Sequence, residues 1–188
     1  RDQLIVDEGD PFNKILHTKS INKLRSKNLF SKVEYEVLDT ENADQKDINI
    51  SIEEKPTGEL MAGAGYGTDG STFSIGIREN NFKGEGVKLN SKLSLSEETV
   101  KGFLEYTHPN FAFSERQLST SLESTVTDRL TDYGYKSSLN SVSLGTRYEQ
   151  FENTFFSPKL SISSETLDTT STASAAYKKQ DGSYFDAT

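Results

Sequence analysis

The stretch from Glu53 to Gly70, EEKPTGELMAGAGYGTDG, decides how the rest of the chain reads. Its glycines suit a phosphate-binding loop, a hinge or a flexible linker, and the neighbouring residues choose between these. A phosphate loop needs its glycines to follow a strand and open a helix, with a lysine placed to reach phosphate. This run opens no helix and passes into another alternating segment around Phe73, Ile75 and Ile77. Gly63, Gly65 and Gly67 recur at period two, so in an extended strand they line one face while Leu60, Ala62, Ala64 and Tyr66 line the other. Thr68-Asp69-Gly70 then supplies hairpin chemistry. A strand without side chains on one face packs poorly and bends easily. The stretch therefore predicts a weak strand, joined to a preceding module through Pro56-Thr57-Gly58.

Upstream, NKILHTKSINKLRSKN places Ile15, Leu16, Ile21 and Leu24 at near-helical spacing. Asn13 stands as N-cap after the Asp10-Pro11 turn, and Asn28 can close the helix in the left-handed conformation. The period then drops to two. Val33, Tyr35 and Val37 alternate with Glu34 and Glu36, and Ile48, Ile50 and Ile52 alternate with Asn49, Ser51 and Glu53. These predict strands over Ser31–Leu38 and Asp47–Glu54 behind the helix, a small α+β module ending near Gly58. Ahead of it, RDQLIVDEGDPF reads as the tail of an earlier helix capped by Gly9.

From Glu59 onward no helical period is visible, and seven alternating strands of about ten residues follow, the glycine stretch being the first. Val87, Leu89, Leu93 and Leu95 oppose Lys88, Asn90, Lys92 and Ser94. Leu118, Leu122 and Val126 oppose Ser119, Ser121 and Glu123, and Leu160 and Ile162 oppose Lys159, Ser161 and Ser163. A soluble sandwich with one wet face also yields such alternation. Two features favour a membrane barrel. The strands have the length of the roughly 9–11 residues a tilted strand needs to cross a bilayer, where soluble strands more often run about 5–6. Tyr66, Tyr106, Phe111, Phe113, Tyr148, Phe151, Phe155 and Phe156 gather near strand ends, where such barrels carry aromatic girdles.

Bulk properties narrow the partners. The chain of 188 residues has no Cys, which excludes disulfides, thiolate metal sites and cysteine nucleophiles and suits an oxidising compartment. A formal net charge of −8 gives no basic footprint for nucleic acid. Hydrophobic residues make up 32% and mean hydropathy is −0.65, low for a packed core but compatible with a sheet that has one polar face. No run approaches the roughly 20 apolar residues of a membrane helix, which does not bear on barrels. The start at Arg1-Asp2-Gln3, without Met or an apolar signal segment, predicts a piece of a longer protein.

Five segments, VDEGDPFN, INKLRSKNLFSKVEYEV, INISIEEKPTGELMAGAGYGTDG, ENNFKGEG and YTHPNF, occur in that order. Together they resemble the BamA family of outer-membrane protein assembly factors, at the junction of the last POTRA domain and the barrel. The late KKQDGSYFDAT resembles an outer loop leading into a further strand. The resemblance implies a partial α+β POTRA domain over residues 1–58 and the N-terminal part of an antiparallel transmembrane β-barrel over 59–188. It also implies that the first POTRA strand, the upstream POTRA domains and more than half of the barrel lie outside this chain.

By the same resemblance, the chain serves assembly and insertion of β-barrel proteins into the bacterial outer membrane, with the POTRA part in the periplasm. Its partners would be unfolded outer-membrane protein clients, accessory assembly lipoproteins and outer-membrane lipid, with no nucleotide, metal or other cofactor and no catalysis. The strand Leu60, Ala62, Gly63, Ala64, Gly65, Tyr66 and Gly67 would form a weak lateral seam that opens and templates a client strand by β-augmentation. The glycines equally allow close packing or curvature without gating. The small module's strand edges could likewise receive unfolded clients, against ordinary sheet pairing. Glu8 and Asp10 could dock an accessory lipoprotein by charge, although such acids are often simply solvated.

Other classes stay in view: a POTRA-containing transporter for secreted or autotransported substrates, a passive porin-like channel, and a soluble β adhesin. His17 and His108, the two histidines, lie in different modules and do not suggest a shared zinc site. VKGF at Val100–Phe103 superficially resembles an Arg-Gly-Phe motif of the family's inward-folded loop but lies too early in the chain. The acid pairs Glu53-Glu54 and Glu97-Glu98 read as strand-end charges, and SSETLDTTSTASAAY as a strand end plus exposed loop.

Overall fold

Asn13 opens the first regular element as its side chain predicts. Its Oδ1 accepts hydrogen bonds from the backbone N–H groups of Ile15 (2.9 Å) and Leu16 (3.2 Å), starting α1, Lys14–Ser26. Asn28, at φ +56°, turns the chain out of the helix. The computed structural model describes residues 4–6, 8–42, 45–67 and 70–188, apart from the side chain of Phe113. The chain separates into two compact units, Arg1–Thr57 and Gly58–Thr188.

In the first unit, β1 (Phe30–Asp39) and β2 (Lys46–Glu54) pair antiparallel, with Val33 opposite Ile52, Tyr35 opposite Ile50 and Val37 opposite Ile48. Helix α1 packs on this ribbon: the Arg25 guanidinium donates to the Val33 carbonyl (2.9 Å), and the His17 ring meets that of Tyr35 edge-on at 4.7 Å. The buried face of α1 differs from the apolar count. Ile21 is 1% exposed beside buried His17 and Ser20, whereas Ile15 and Leu16 are exposed. The helical tail expected ahead of Gly9 is not seen, since the described residues there form bends and turns, with Gly9 itself at φ +93°. Residues 1–3 and 7 of that stretch lie outside the described residues.

The second unit is one antiparallel meander. Its strands are β3 (Gly58–Gly67), β4 (Gly70–Phe82), β5 (Val87–Leu95), β6 (Thr99–His108), β7 (Gln117–Arg129), β8 (Tyr135–Phe151), β9 (Thr154–Phe156), β10 (Lys159–Thr169) and β11 (Gly182–Ala187). Neighbours pair in the order β3-β4-β5-β6-β7-β8-β10-β11, and β9 folds back on the end of β8 alone. Eight strands thus stand in the main ladder where alternation predicts seven. The eighth is the strand foreshadowed by KKQDGSYFDAT. Within the main ladder strand length is less even than expected, running from six residues in β11 to 17 in β8.

A five-residue helix, α2 (Ala175–Lys179), stands in the β10–β11 connection, where the sequence predicts only loop. Ser174 caps it by accepting from the Tyr177 N–H. Sequence periodicity cannot register a single turn of helix. The connection is also packed rather than merely exposed, with Ala173 buried in it and Leu167 buried near the end of β10. Thr68 and Asp69 of the expected first hairpin lie outside the described residues, and the strands they join pair from Gly58↔Glu79 through Gly67↔Gly70.

Candidate functional site

Antiparallel pairing puts opposed residues on one face, so the register fixes the two surfaces of the sheet. Ala62 faces Ile75, Ile75 faces Leu93, Leu104 faces Leu122, Leu122 faces Val142, and Val142 faces Ile162. These and their neighbours Phe73, Val100, Leu144 and Leu160 form an apolar belt across the strands, and all these large side chains are exposed, Ile75 at 62%. Charges on this face stand toward strand ends: Glu79 and Arg116 at one, Asp128, Lys136 and Asp168 at the other.

The opposite face is polar. Lys101 pairs with Glu123 across β6 and β7 at 2.7 Å, and the hydroxyls of Ser143 and Ser161 lie 2.9 Å apart. A sheet that hides its polar side chains on one face and shows Leu, Ile, Val and Phe on the other inverts the arrangement of a soluble meander. Soluble monomers rarely leave so continuous an apolar surface in water.

β3 is the edge of this sheet. It pairs with β4 on one side, and every one of its ten residues is exposed, with Leu60 at 84% and Tyr66 at 86%. Alternate N–H and C=O groups along β3 therefore point away from β4, a template onto which another strand can pair. Leu60, Ala62, Ala64 and Tyr66 lie on the apolar face opposite Ile77, Ile75, Phe73 and Ser71. Gly63, Gly65 and Gly67 lie on the other. A Cβ at Gly63 would stand 3.1 Å from Ser74 Oγ, while at Gly65 and Gly67 it would meet nothing within 4 Å. Close approach thus accounts for the first glycine only. The other two leave unfilled space on the polar face, and the cross-ladder side-chain support is thin: the Arg78–Glu59 ion pair, 3.6 Å and well exposed, is worth little.

The two ends of the sheet differ. At the end where Gly58 enters lie Tyr106, Phe111, Tyr148, Phe151, Phe155 and Phe156. Tyr66 stands at the other end, and the side chain of Phe113 lies outside the described residues. At that other end the β10–β11 connection folds onto the β7–β8 turn. Thr170 N–H donates to Gly134 O (2.8 Å), Tyr177 stacks on Tyr135, and Arg129 binds Glu98 and lies over the Tyr133 ring. The hydrogen bond that the Tyr177 hydroxyl donates to Tyr135 holds it above the ordinary tyrosine pKa. Strand alternation gave no sign of this cluster, because its residues come from turns and the end residues of strands.

Glu8 and Asp10 are exposed in the turns before α1, and both take part in interactions within the chain. His17 is buried in the first unit, and His108 Nδ1 accepts from the Asn110 N–H in the second. Among the described residues, no cluster of His, Asp and Glu has the makings of a metal site.

No protein-family profile matches the chain. The outer membrane protein assembly factor BamA of Neisseria meningitidis serogroup B is 27% identical over 139 residues, which cover 65% of this chain and 17% of that protein. The BamA of Nitratidesulfovibrio vulgaris is 27% identical over 108 residues, 57% of this chain and 14% of that protein. The crystal structure of BamA from Haemophilus ducreyi lacking POTRA domains 1–3 superposes with a TM-score of 0.77 at 22% identity, covering 99% of this chain and 39% of that one. The resemblance drawn from the five segments therefore holds in sequence, and the antiparallel sheet resembles the BamA barrel region in fold. The chain spans less than a fifth of the length of these curated relatives.

Proposed function

We propose that this chain is the junction and first barrel strands of an outer-membrane assembly factor, with residues 1–58 the closing part of its last POTRA domain and 59–188 the start of its barrel. The parent protein folds β-barrel clients into the bacterial outer membrane, the POTRA part lying in the periplasm. The observation that carries this reading is the exposed apolar belt, continuous over the sheet and backed by a polar face, on a chain whose named relatives are outer-membrane assembly factors.

In the closed barrel β3 meets the parent's last strand. Lipid offers no partners for backbone N–H and C=O groups, so an intact seam must be paired laterally. Gly65 and Gly67 leave the second half of β3 without side-chain packing on its polar face, which weakens this seam. An opened β3 presents its backbone edge to an incoming client strand, which adds by β-augmentation. The client's own folding supplies the free energy, with no nucleotide or metal in the scheme. Glu8 and Asp10 lie where an accessory lipoprotein could meet the POTRA part.

Cysteines at Ala64 and at a facing position in the parent's last strand test this. Loss of client assembly in liposomes on crosslinking, regained on reduction, is the expected result. Full activity with the seam locked overturns the opening mechanism. Residues 1–188 contribute no competing thiol.

A further inference from the structure

At the end where Gly58 enters, β8 outruns its neighbours. It continues past Gly145, the last residue paired with β10, and turns at Asn153 (φ +60°) into β9, so that Tyr148 faces Phe156 in a short hairpin off the main ladder. The hairpin is anchored at its base. Thr146 N–H donates to the Pro158 carbonyl (3.0 Å) and Thr146 Oγ1 to the Gln117 carbonyl (2.9 Å).

Its faces continue those of the sheet. Val142, Leu144, Thr146 and Tyr148 alternate onto the apolar face, and Phe156 joins them through its pairing with Tyr148. Arg116, the residue before β7, lies over the Tyr148 ring at 5.2 Å, the rings of Tyr148 and Phe156 are 5.7 Å apart, and Phe156 is 54% exposed. Along this one face the chemistry therefore runs aliphatic, then aromatic, then cationic. From Leu144 to Tyr148 the strand advances about 13 Å.

That order is the profile of a bilayer boundary: hydrocarbon, the amphipathic interface favoured by aromatic rings, then headgroup phosphate. Among the described residues Arg116 forms no ion pair, and its backbone carbonyl is held by the Phe111 N–H (2.8 Å), which fixes where the side chain starts. In a chain of net charge −8, a guanidinium flush with an apolar, aromatic face is complementary to an anionic headgroup. The second cation–aromatic pair of the hairpin, Arg147 over Phe155 at 4.6 Å, faces the polar side.

We propose that the β8–β9 hairpin and Arg116 form an interfacial anchor in the leaflet at the Gly58 end, with Tyr148 and Phe156 at the hydrocarbon boundary and Arg116 holding the phosphate of a phospholipid headgroup. The proposal rests on the membrane-barrel reading above. The aliphatic residues leading into Tyr148 belong to the belt itself, and this continuity makes a lipid, rather than a protein, the occupant.

The test uses the full-length parent in a cysteine-free background, reconstituted in phosphatidylcholine vesicles, with folding checked by heat-dependent gel migration. An environment-sensitive dye is placed at Thr154→Cys in the hairpin or at Leu144→Cys in the belt. Quenching is compared between doxyl-labelled phosphatidylglycerol and doxyl-labelled phosphatidylcholine. Quenching is expected at both positions, with phosphatidylglycerol preferred at residue 154 by about two- to fivefold, a preference lost in Arg116→Gln and kept in Arg116→Lys. A dye at 154 that escapes quenching while that at 144 is quenched overturns the anchor, leaves the barrel reading standing and assigns the hairpin to water or a protein partner. A lipid preference unchanged by Arg116→Gln overturns the headgroup role. Absence of quenching at both positions overturns the membrane reading itself.

Discussion

The ring of Tyr177, in the β10–β11 connection, lies nearly flat against that of Tyr135 at the start of β8, with centroids 4.2 Å and planes 23° apart. Tyr135, Leu167 and Ala173 are buried around this stack, so the connection is docked on the sheet end. Tyr177→Ala is expected to loosen it, speeding tryptic cleavage after Lys178 and Lys179 by about three- to tenfold, the range set by one offset aromatic pair. Tyr177→Phe should keep most of the protection. Limited proteolysis of the folded parent, followed by mass spectrometry, checks both.

The same stack predicts a pH dependence. The hydrogen bond to Tyr135 raises the Tyr177 pKa above its ordinary value of 10.0. A raised pKa means that the docked state favours the protonated hydroxyl. Its contribution is complete below the unfolded value and is lost as pH rises through the higher, docked value. A dye at Ser171→Cys should therefore report docking at neutral pH and release only on the alkaline side of ordinary tyrosine titration. Tyr177→Phe should flatten that transition.

Gly134 lies beneath this connection at φ +73°, and a Cβ there would come within 2.5 Å of Ala173 N and Thr172 Oγ1. Gly134→Ala thus combines left-handed backbone strain, about 1–2 kcal/mol, with a clash against backbone that cannot rotate away. The docked connection should open, and tryptic cleavage at Lys178 should exceed that of Tyr177→Ala. Unchanged proteolysis would show that the turn can move without cost.

What could be read from the sequence and what could not divide along a physical line. Period-two alternation over nine or more residues, as in Val87–Leu95, marks a strand because its pattern depends on local geometry alone. Asn13 and Asn28 were legible for the same reason: caps act within a few residues. Helix α2 and β11 are too short to show a period, and β9 owes its existence to partners at Tyr148 and Glu149. Ile15 looked like core by count, but which stripe of α1 turns inward depends on how the helix rests on β1. Glycine alternation in β3 was visible, whereas the empty space at Gly65 and Gly67 required the β4 register.

Among the described residues of the first unit, Ile21 is the largest fully buried side chain, and Ile21→Ala should destabilise that unit by about 2–4 kcal/mol through lost burial and a residual cavity. Asn13→Ala, which frees the N–H groups of Ile15 and Leu16, should cost about 1 kcal/mol. Ile15→Ala should change little, since that side chain is exposed. Hydrogen exchange of the α1 amides in the parent protein distinguishes the three. Equal loss of protection in Ile15→Ala and Ile21→Ala would refute the packing of α1 described above.

Gly65→Val tests the seam without a crosslink. Its Cβ meets open space, and a β-branched residue in an extended strand gains about 0.5–1 kcal/mol over glycine, so the first strand should hold its neighbour more firmly. If parting of this strand limits client assembly, the rate in liposomes should fall by about two- to fivefold, the equivalent of that energy. Gly63→Val is the matched control. Its Cβ crowds Ser74 Oγ at 3.1 Å, so its gain should be smaller and should be restored by Ser74→Ala. Folding of each variant is read from heat-dependent gel migration, which separates a stiffened seam from a misfolded barrel. A well-folded Gly65→Val protein that assembles clients at the original rate would mean that the weakness of β3 serves curvature rather than opening, because only the opening mechanism makes the rate depend on how tightly this strand is held.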